Sequence, residues 1–126
     1  MVVLVCGDRN WSHYDTVLHT LRALPQITLV IHGGARGADT LGGRAARELD
    51  VPYKIFTARW DLYGKAAGPR RNQEMLTFLQ EKAREGVPVT AFAFHQNLQT
   101  SRGTKDMIRR LELAKLSYTL IVNELR

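Results

Sequence analysis

A doubly wound α/β fold, one parallel sheet of about five strands in the order 3-2-1-4-5 with helices on both faces, is predicted by the alternation of segment types. Five short apolar segments alternate with four of helical spacing. The first, Val2 to Cys6, is continuously apolar and valine-rich, as a strand buried on both faces of a parallel sheet is. The second ends in the glycine-rich run Gly33-Gly34-Ala35-Arg36-Gly37-Ala38-Asp39, which leads into a helix. In such sheets ligands bind beyond the carboxyl ends of the strands, where the strand order reverses.

The elements follow in order. Val2 to Cys6 is the central strand, and Gly7-Asp8-Arg9-Asn10-Trp11 is a loop. Ser12 is the expected N-cap of a helix that turns Val17, Leu18, Leu21 and Leu24 inward, and Pro25 ends it. Ile27 to His32 is the second strand. Asp39 to Leu49 reads as helix, with Leu41, Ala45, Ala46 and Leu49 inside. Gly42 and Gly43 each cost a helix roughly 1 kcal/mol relative to alanine, so they mark either close packing or a tolerated weakness. Pro52 to Phe56 is a third short strand, and Thr57 to Arg70 is expected to be one long irregular loop. A helix from Arg71 to Glu85 turns Met75, Leu76, Leu79 and Ala83 inward. Val87 to His95 is the fourth strand. After the loop Gln96 to Arg102, a helix starts at Gly103 and carries Ile108 and Leu111. Tyr118 to Val122 is the fifth strand, and the last four residues are expected to fray.

With 126 residues, 44% hydrophobic and 24% charged, the chain fits a single domain, residues 1–126. Its apolar runs are strand-sized, well short of the roughly 20 residues a membrane span needs. The amino terminus has no basic region or cleavage site, so a cytoplasmic protein is expected. One cysteine, Cys6, can form no internal disulfide, and nothing beside it in the sequence identifies a base that would activate it. His13, His19, His32 and His95 lack metal-ligand spacing, so neither a metal nor a cofactor is called for. The net charge of +6, from 18 Lys and Arg against 12 Asp and Glu, suits an anionic partner, either a nucleotide or a nucleic acid.

The glycine run carries the clearest chemical signal. Glycines allow backbone N–H groups to face an anion closely, the helix adds about half a positive charge, and Arg36 adds a whole one. The run lacks the Gly-Lys-Ser/Thr ending of a P-loop. It is also an imperfect dinucleotide fingerprint, because His32 stands where the first glycine belongs and no acid closes the strand at Ile55-Phe56-Thr57. Arg71, beside Gly68-Pro69, can pair bidentately with phosphate, and Asn72 can hold a loop or a base edge. Trp11, Trp60 and Tyr63 could stack on a base or serve as core or lid residues.

Five ordered motifs together resemble the YspA/CpYpsA-related branch of the SLOG superfamily, which takes in the Lonely Guy phosphoribohydrolases and DNA-processing protein A. They are Gly7-x-Arg9-x-Trp11, the glycine run, Trp60-x-x-Tyr63-Gly64-Lys65, Ala67-Gly68-Pro69-x-Arg71-Asn72-x-x-Met75 and Gly103-Thr104-x-Asp106-Met107. The resemblance spans about residues 2 to 122. It implies a Rossmann-like fold that senses nucleotide-derived ligands, cleaves them, or binds single-stranded DNA. The ligand-binding residues expected are Gly7, Arg9, Trp11, Gly33, Gly34, Ala35, Arg36, Gly37, Asp39, Trp60, Gly68, Arg71, Asn72, Gly103 and Thr104.

One departure bears on chemistry. Lonely Guy proteins carry Pro-Gly-Gly-x-Gly-Thr-x-x-Glu, and aligning Gly103-Thr104 puts Met107 at the position of the catalytic glutamate. Asp106, one residue early and turned about 100° around the helix, is the first choice for a catalytic acid if a nucleotide N-glycoside is hydrolysed. Asp39 is expected to cap its helix, and Asp8 to fix its loop. Binding of a phosphorylated, nucleotide-like small molecule without turnover is favoured, with phosphoribohydrolase and single-strand-binding alternatives. A homodimer formed through paired helices is also expected.

Overall fold

The computed structural model describes residues 1–122, and the expectation for residues 123–126 lies outside them. Its strands are β1 (Val2–Gly7), β2 (Leu29–His32), β3 (Tyr53–Ile55), β4 (Val89–Phe94) and β5 (Tyr118–Ile121). Its helices are α1 (Tyr14–Arg22), α2 (Ala38–Glu48), α3 (Trp60–Tyr63), α4 (Ala67–Arg84) and α5 (Gly103–Leu113), with short 3₁₀ turns at Gly64–Ala66 and Leu98–Thr100. The sheet is parallel throughout, in the order β3-β2-β1-β4-β5. This is the Rossmann-like α/β arrangement that the alternating segments predict.

The two-residue period of β1 divides the core into two layers. Val2, Leu4 and Cys6 face α4 and α5, meeting Met75, Leu79, Met107 and Leu111. Val3 and Val5 face α1 and α2, meeting Val17, Leu21, Ala38 and Ala45. Neighbouring strands keep this division: Leu4 pairs in register with Ile31, and Val3 with Val30. With both faces of β1 covered, truncating Leu4 to alanine would cost about 2–5 kcal/mol.

The two helical glycines mark close packing. A Cβ at Gly42 would stand 2.7 Å from Val5 Cβ, and one at Gly43 would stand 2.7 Å from His32 Nε2. Helix α2 therefore lies closer to the sheet than any side chain at those positions would allow.

Three local expectations are corrected. His13, not Ser12, occupies the N-cap position of α1, and no side chain caps the helix. The preceding residue, Trp11, is a core residue, and Ser12 contributes its carbonyl to the Tyr14 N–H instead. The stretch 57–70 is largely helical rather than irregular: it holds α3, a 3₁₀ turn and the first turn of α4. Gly68 and Pro69 read as breakers, but they fall in that first turn, where backbone N–H groups need no intrahelical acceptor. Arg71 consequently lies a full turn inside α4 rather than at its start.

No described helix is long and apolar enough to cross a membrane.

Candidate functional site

The strand order reverses between β1 and β4, and a cavity of about 440 Å³ opens beyond their carboxyl ends. Gly7, Asp8, Arg9 and Asn10 form its β1 side, and His95 closes the β4 side. Ala35 and Asp39 enter from the glycine loop and α2, Arg71 and Asn72 from α4, and Arg102, Gly103 and Thr104 from the start of α5.

Two loops are tied together at the rim. Asp8 Oδ1 accepts from the Asn10 N–H at 2.9 Å, which fixes the first loop as expected. The Asp8 carbonyl accepts from the Ala38 N–H at 3.0 Å. That approach requires glycine at position 37, where φ is +75° and a Cβ would run into the Asp8 carbonyl oxygen.

The glycine loop uses its N–H groups differently from the expectation. Gly33 and Ala35 donate to one oxygen of Asp39, Oδ2, at 3.0 and 3.3 Å, and Gly34 donates to His32 Nδ1 at 3.0 Å. Burial holds the His32 pKa below its ordinary value, which keeps Nδ1 available as an acceptor. Asp39 is thus a brace across the loop rather than the cap of α2; the N-cap position is Gly37. Only 5% exposed, Asp39 has its pKa pushed up to about 6 by burial, against the pull of Arg71 and the two N–H donors. These three backbone donors already have partners, so an anion here would be met chiefly by side chains.

Arg71 is the best placed of them. Its Nη1 donates to the Gly33 carbonyl at 2.7 Å and its Nε to Asn72 Oδ1 at 3.3 Å, while Nη2 meets no acceptor among the described residues. Asn72 in turn donates to the Gly103 carbonyl at 3.2 Å and to Asp106 Oδ2 at 2.9 Å, linking α4 to α5. A guanidinium held at Nη1 and Nε loses little freedom when Nη2 meets an oxyanion. Arg9 and Arg102 line the same cavity. Ser101 Oγ accepts from the Thr104 N–H at 3.0 Å and so holds the start of α5.

The remaining predicted residues divide. Asp106 does not line this cavity: its Oδ2 accepts from Arg110 Nε at 2.8 Å, and it borders a separate depression with Arg102, Lys105 and Arg109. Met107 occupies the cavity wall instead. Burial pushes the pKa of the Cys6 thiol up, which disfavours the thiolate that a nucleophile needs. Trp11 is a core residue, 4% exposed, with its ring 5.7 Å from that of Phe94 and its indole N–H on the His13 carbonyl. It supports the first loop from beneath and offers no stacking face.

Gly33, Gly34, Arg36 and Trp60 lie in a second cavity of about 580 Å³, on the β3 side, together with Ile55. Gly68 lies under Trp60, where a Cβ would meet the indole at 3.4 Å. Arg9, Ala35 and Arg71 line both cavities. Sequence reasoning passed over Asn10 and Ile55 as site residues. Ile55 is the last residue of β3 and Asn10 lies in the loop after β1, both on the crevice side, and that position was the available signal.

Comparison with known proteins agrees with the fold. The chain resembles the X-ray structure of DNA processing protein A (DprA) from Streptococcus pneumoniae with a TM-score of 0.51 and 18% identity, over 96% of this chain and 58% of that one. At that identity the likeness is one of fold. It is also 36% identical over 83 residues to the Gene 61 protein of Mycobacterium phage D29, which is 59% of this chain and 66% of that protein. The chain spans less than two thirds of the length of each. The model of the YspA, cpYpsA-related SLOG family matches residues 1–63, half of the chain, which covers β1, α1, β2, the glycine loop, α2, β3 and α3. The chain therefore belongs to the YspA, cpYpsA-related SLOG family.

Proposed function

We propose that this domain binds a phosphorylated, nucleotide-like small molecule at the carboxyl ends of β1 and β4 and acts as a cytoplasmic sensor or sequestering module without turnover. One observation carries the reading: the Arg71 guanidinium is fixed by Gly33 and Asn72, with Nη2 unengaged, in the wall of a cavity that Arg9 and Arg102 also line. A phosphate there gains charge-assisted bonds from a donor that is already oriented. Gly7, Gly103 and Thr104 shape the floor, and Asp39 braces the loop from behind.

Hydrolysis of an N-glycoside needs a carboxylate at the anomeric carbon. Asp106 is engaged by Arg110 and Asn72 outside the cavity, which favours binding alone. The test is a thermal-shift and calorimetric screen of mono-, di- and cyclic nucleotides and of ADP-ribose-type ligands. A ligand whose affinity depends on Arg71 supports the reading; no ligand anywhere in that series overturns it.

Single-stranded nucleic acid is the second reading. It rests on the net charge of +6 and on a basic-aromatic surface where the Arg70 guanidinium lies 4.1 Å over the exposed Tyr63 ring, close to exposed Trp60. Binding of that kind weakens steeply with salt. Absence of gel retardation at low salt would remove it. Pairing of two copies through an isologous helix contact is proposed as well; light scattering at the monomer mass across concentrations would overturn it.

A further inference from the structure

The two cavities differ in character and share two cationic residues, Arg71 and Arg9. The first is walled by polar groups, among them Asp8, Asp39 and Thr104, which suit sugar hydroxyls. The second presents the Trp60 indole, 58% exposed, and the exposed side chain of Ile55. Each volume alone falls within the roughly 300–1,000 Å³ of ordinary small-ligand sites. Arg71 lines both and has Nη1 and Nε committed to the protein, which leaves Nη2 without a protein acceptor among the described residues. Arg9 lines both as well. A single nucleotide would occupy one cavity and leave the other empty.

We infer that the site takes two nucleotide units joined through phosphate: the sugar of one sits in the first cavity, the linking phosphate on Arg71 and Arg9, and the base of the other on Trp60. This inference rests on the nucleotide-binding reading above and adds the ligand's size and the role of the second cavity. Stacking on an exposed indole tolerates any base, so the inference fixes the length of the ligand and leaves its bases free. Two joined units can come from a free dinucleotide or from consecutive residues of a strand, and the probes separate these sources.

The experiment is calorimetry of AMP, the 5′-phosphorylated diadenylate pApA and a longer oligoadenylate on the full chain and on Trp60→Ala and Trp60→Phe. Far-UV circular dichroism and thermal melts verify that both variants fold. The expected result is that pApA binds about tenfold or more tighter than AMP. Trp60→Ala lowers pApA to about the level of AMP, and Trp60→Phe restores most of the difference. A longer strand no tighter than pApA identifies a free dinucleotide, whereas a tighter, strongly salt-dependent strand identifies nucleic acid; both accord with the inference. It is overturned if AMP binds as tightly as pApA, or if Trp60→Ala weakens the two equally. If AMP, pApA and the strand all fail to bind, the nucleotide-binding reading itself falls and this inference with it.

Discussion

The Arg71 guanidinium donates to the carbonyl of Gly33, a residue 38 positions earlier in the chain, at 2.7 Å. The contact exists because position 33 has no side chain: a Cβ there would stand 2.6 Å from Nη1 and 2.8 Å from Cδ of Arg71. Gly33 does not have a positive φ, so alanine suits its backbone, and the nearest atoms in conflict all belong to the arginine. Gly33→Ala is therefore expected to shift the melting temperature little while weakening AMP about tenfold, because the guanidinium loses its orientation. An unchanged calorimetric affinity would count against this role for the contact.

Gly42→Ala should have the opposite profile. The added methyl would press on Val5 in the central strand, where neither α2 nor the sheet can move away cheaply. Overpacking of this kind costs about 1–3 kcal/mol, outweighing alanine's better helix propensity of about 1 kcal/mol. Urea denaturation should therefore give a lower midpoint, and a higher one would contradict the packing account.

Asp39 predicts a pH dependence with a definite sign. Its pKa in the folded chain, about 6, lies above its ordinary value of 3.8. Between those values the folded state keeps a proton that the unfolded chain has released, so this group's contribution to stability falls as pH rises from about 4 to about 6 and is level above that. Asp39→Asn keeps an acceptor for the Gly33 and Ala35 N–H groups and has no charge to bury. The stability of the variant relative to the wild type should grow across that window, by at most about 3 kcal/mol. Urea melts at pH 4.5 and 7 giving the same difference would refute this account of Asp39.

Asp106→Asn probes turnover. The substitution keeps the bond from Asn72 but breaks the ion pair with Arg110, whose side chains are 26% (Arg110) and 32% (Asp106) exposed, at a cost of about 1 kcal/mol or less. Chromatography after prolonged incubation with any bound nucleotide should detect no free base from either protein. Base release by the wild type that vanishes in Asp106→Asn with binding retained would establish hydrolysis and place the acid there.

Much of the architecture was legible because strand burial leaves a mark in composition. The uniformly apolar run Val2 to Cys6 suits the middle of a covered parallel sheet, and the glycine loop after Ile31-His32 marks the crevice side. The start of α4 was hidden by a local rule applied one turn too far: Gly68 and Pro69 break helices in their interiors and are harmless in a first turn.

The site was legible in membership more than in role. Gly33, Ala35, Asp39 and Arg71 do converge, but the hydrogen bonds that close the loop onto Asp39 depend on the carboxylate pointing backward from the second residue of α2. No spacing in the sequence records that direction. Trp11 misled for a related reason: an aromatic residue in a site loop reads the same whether it faces a ligand or the core, and only Phe94, contributed by β4, decides between them.

The central claim is that a protein-held guanidinium, rather than the backbone of the glycine loop, supplies anion recognition. Calorimetric titration of AMP, with inorganic phosphate as the minimal probe, into wild type, Arg71→Lys and Arg71→Ala tests it most directly. Wild type should bind, Arg71→Lys should lose about tenfold because a point charge cannot form the fork, and Arg71→Ala should lose about tenfold to a hundredfold, with melting temperatures close to wild type. Equal affinity in all three proteins would contradict the claim and return anion binding to the loop backbone.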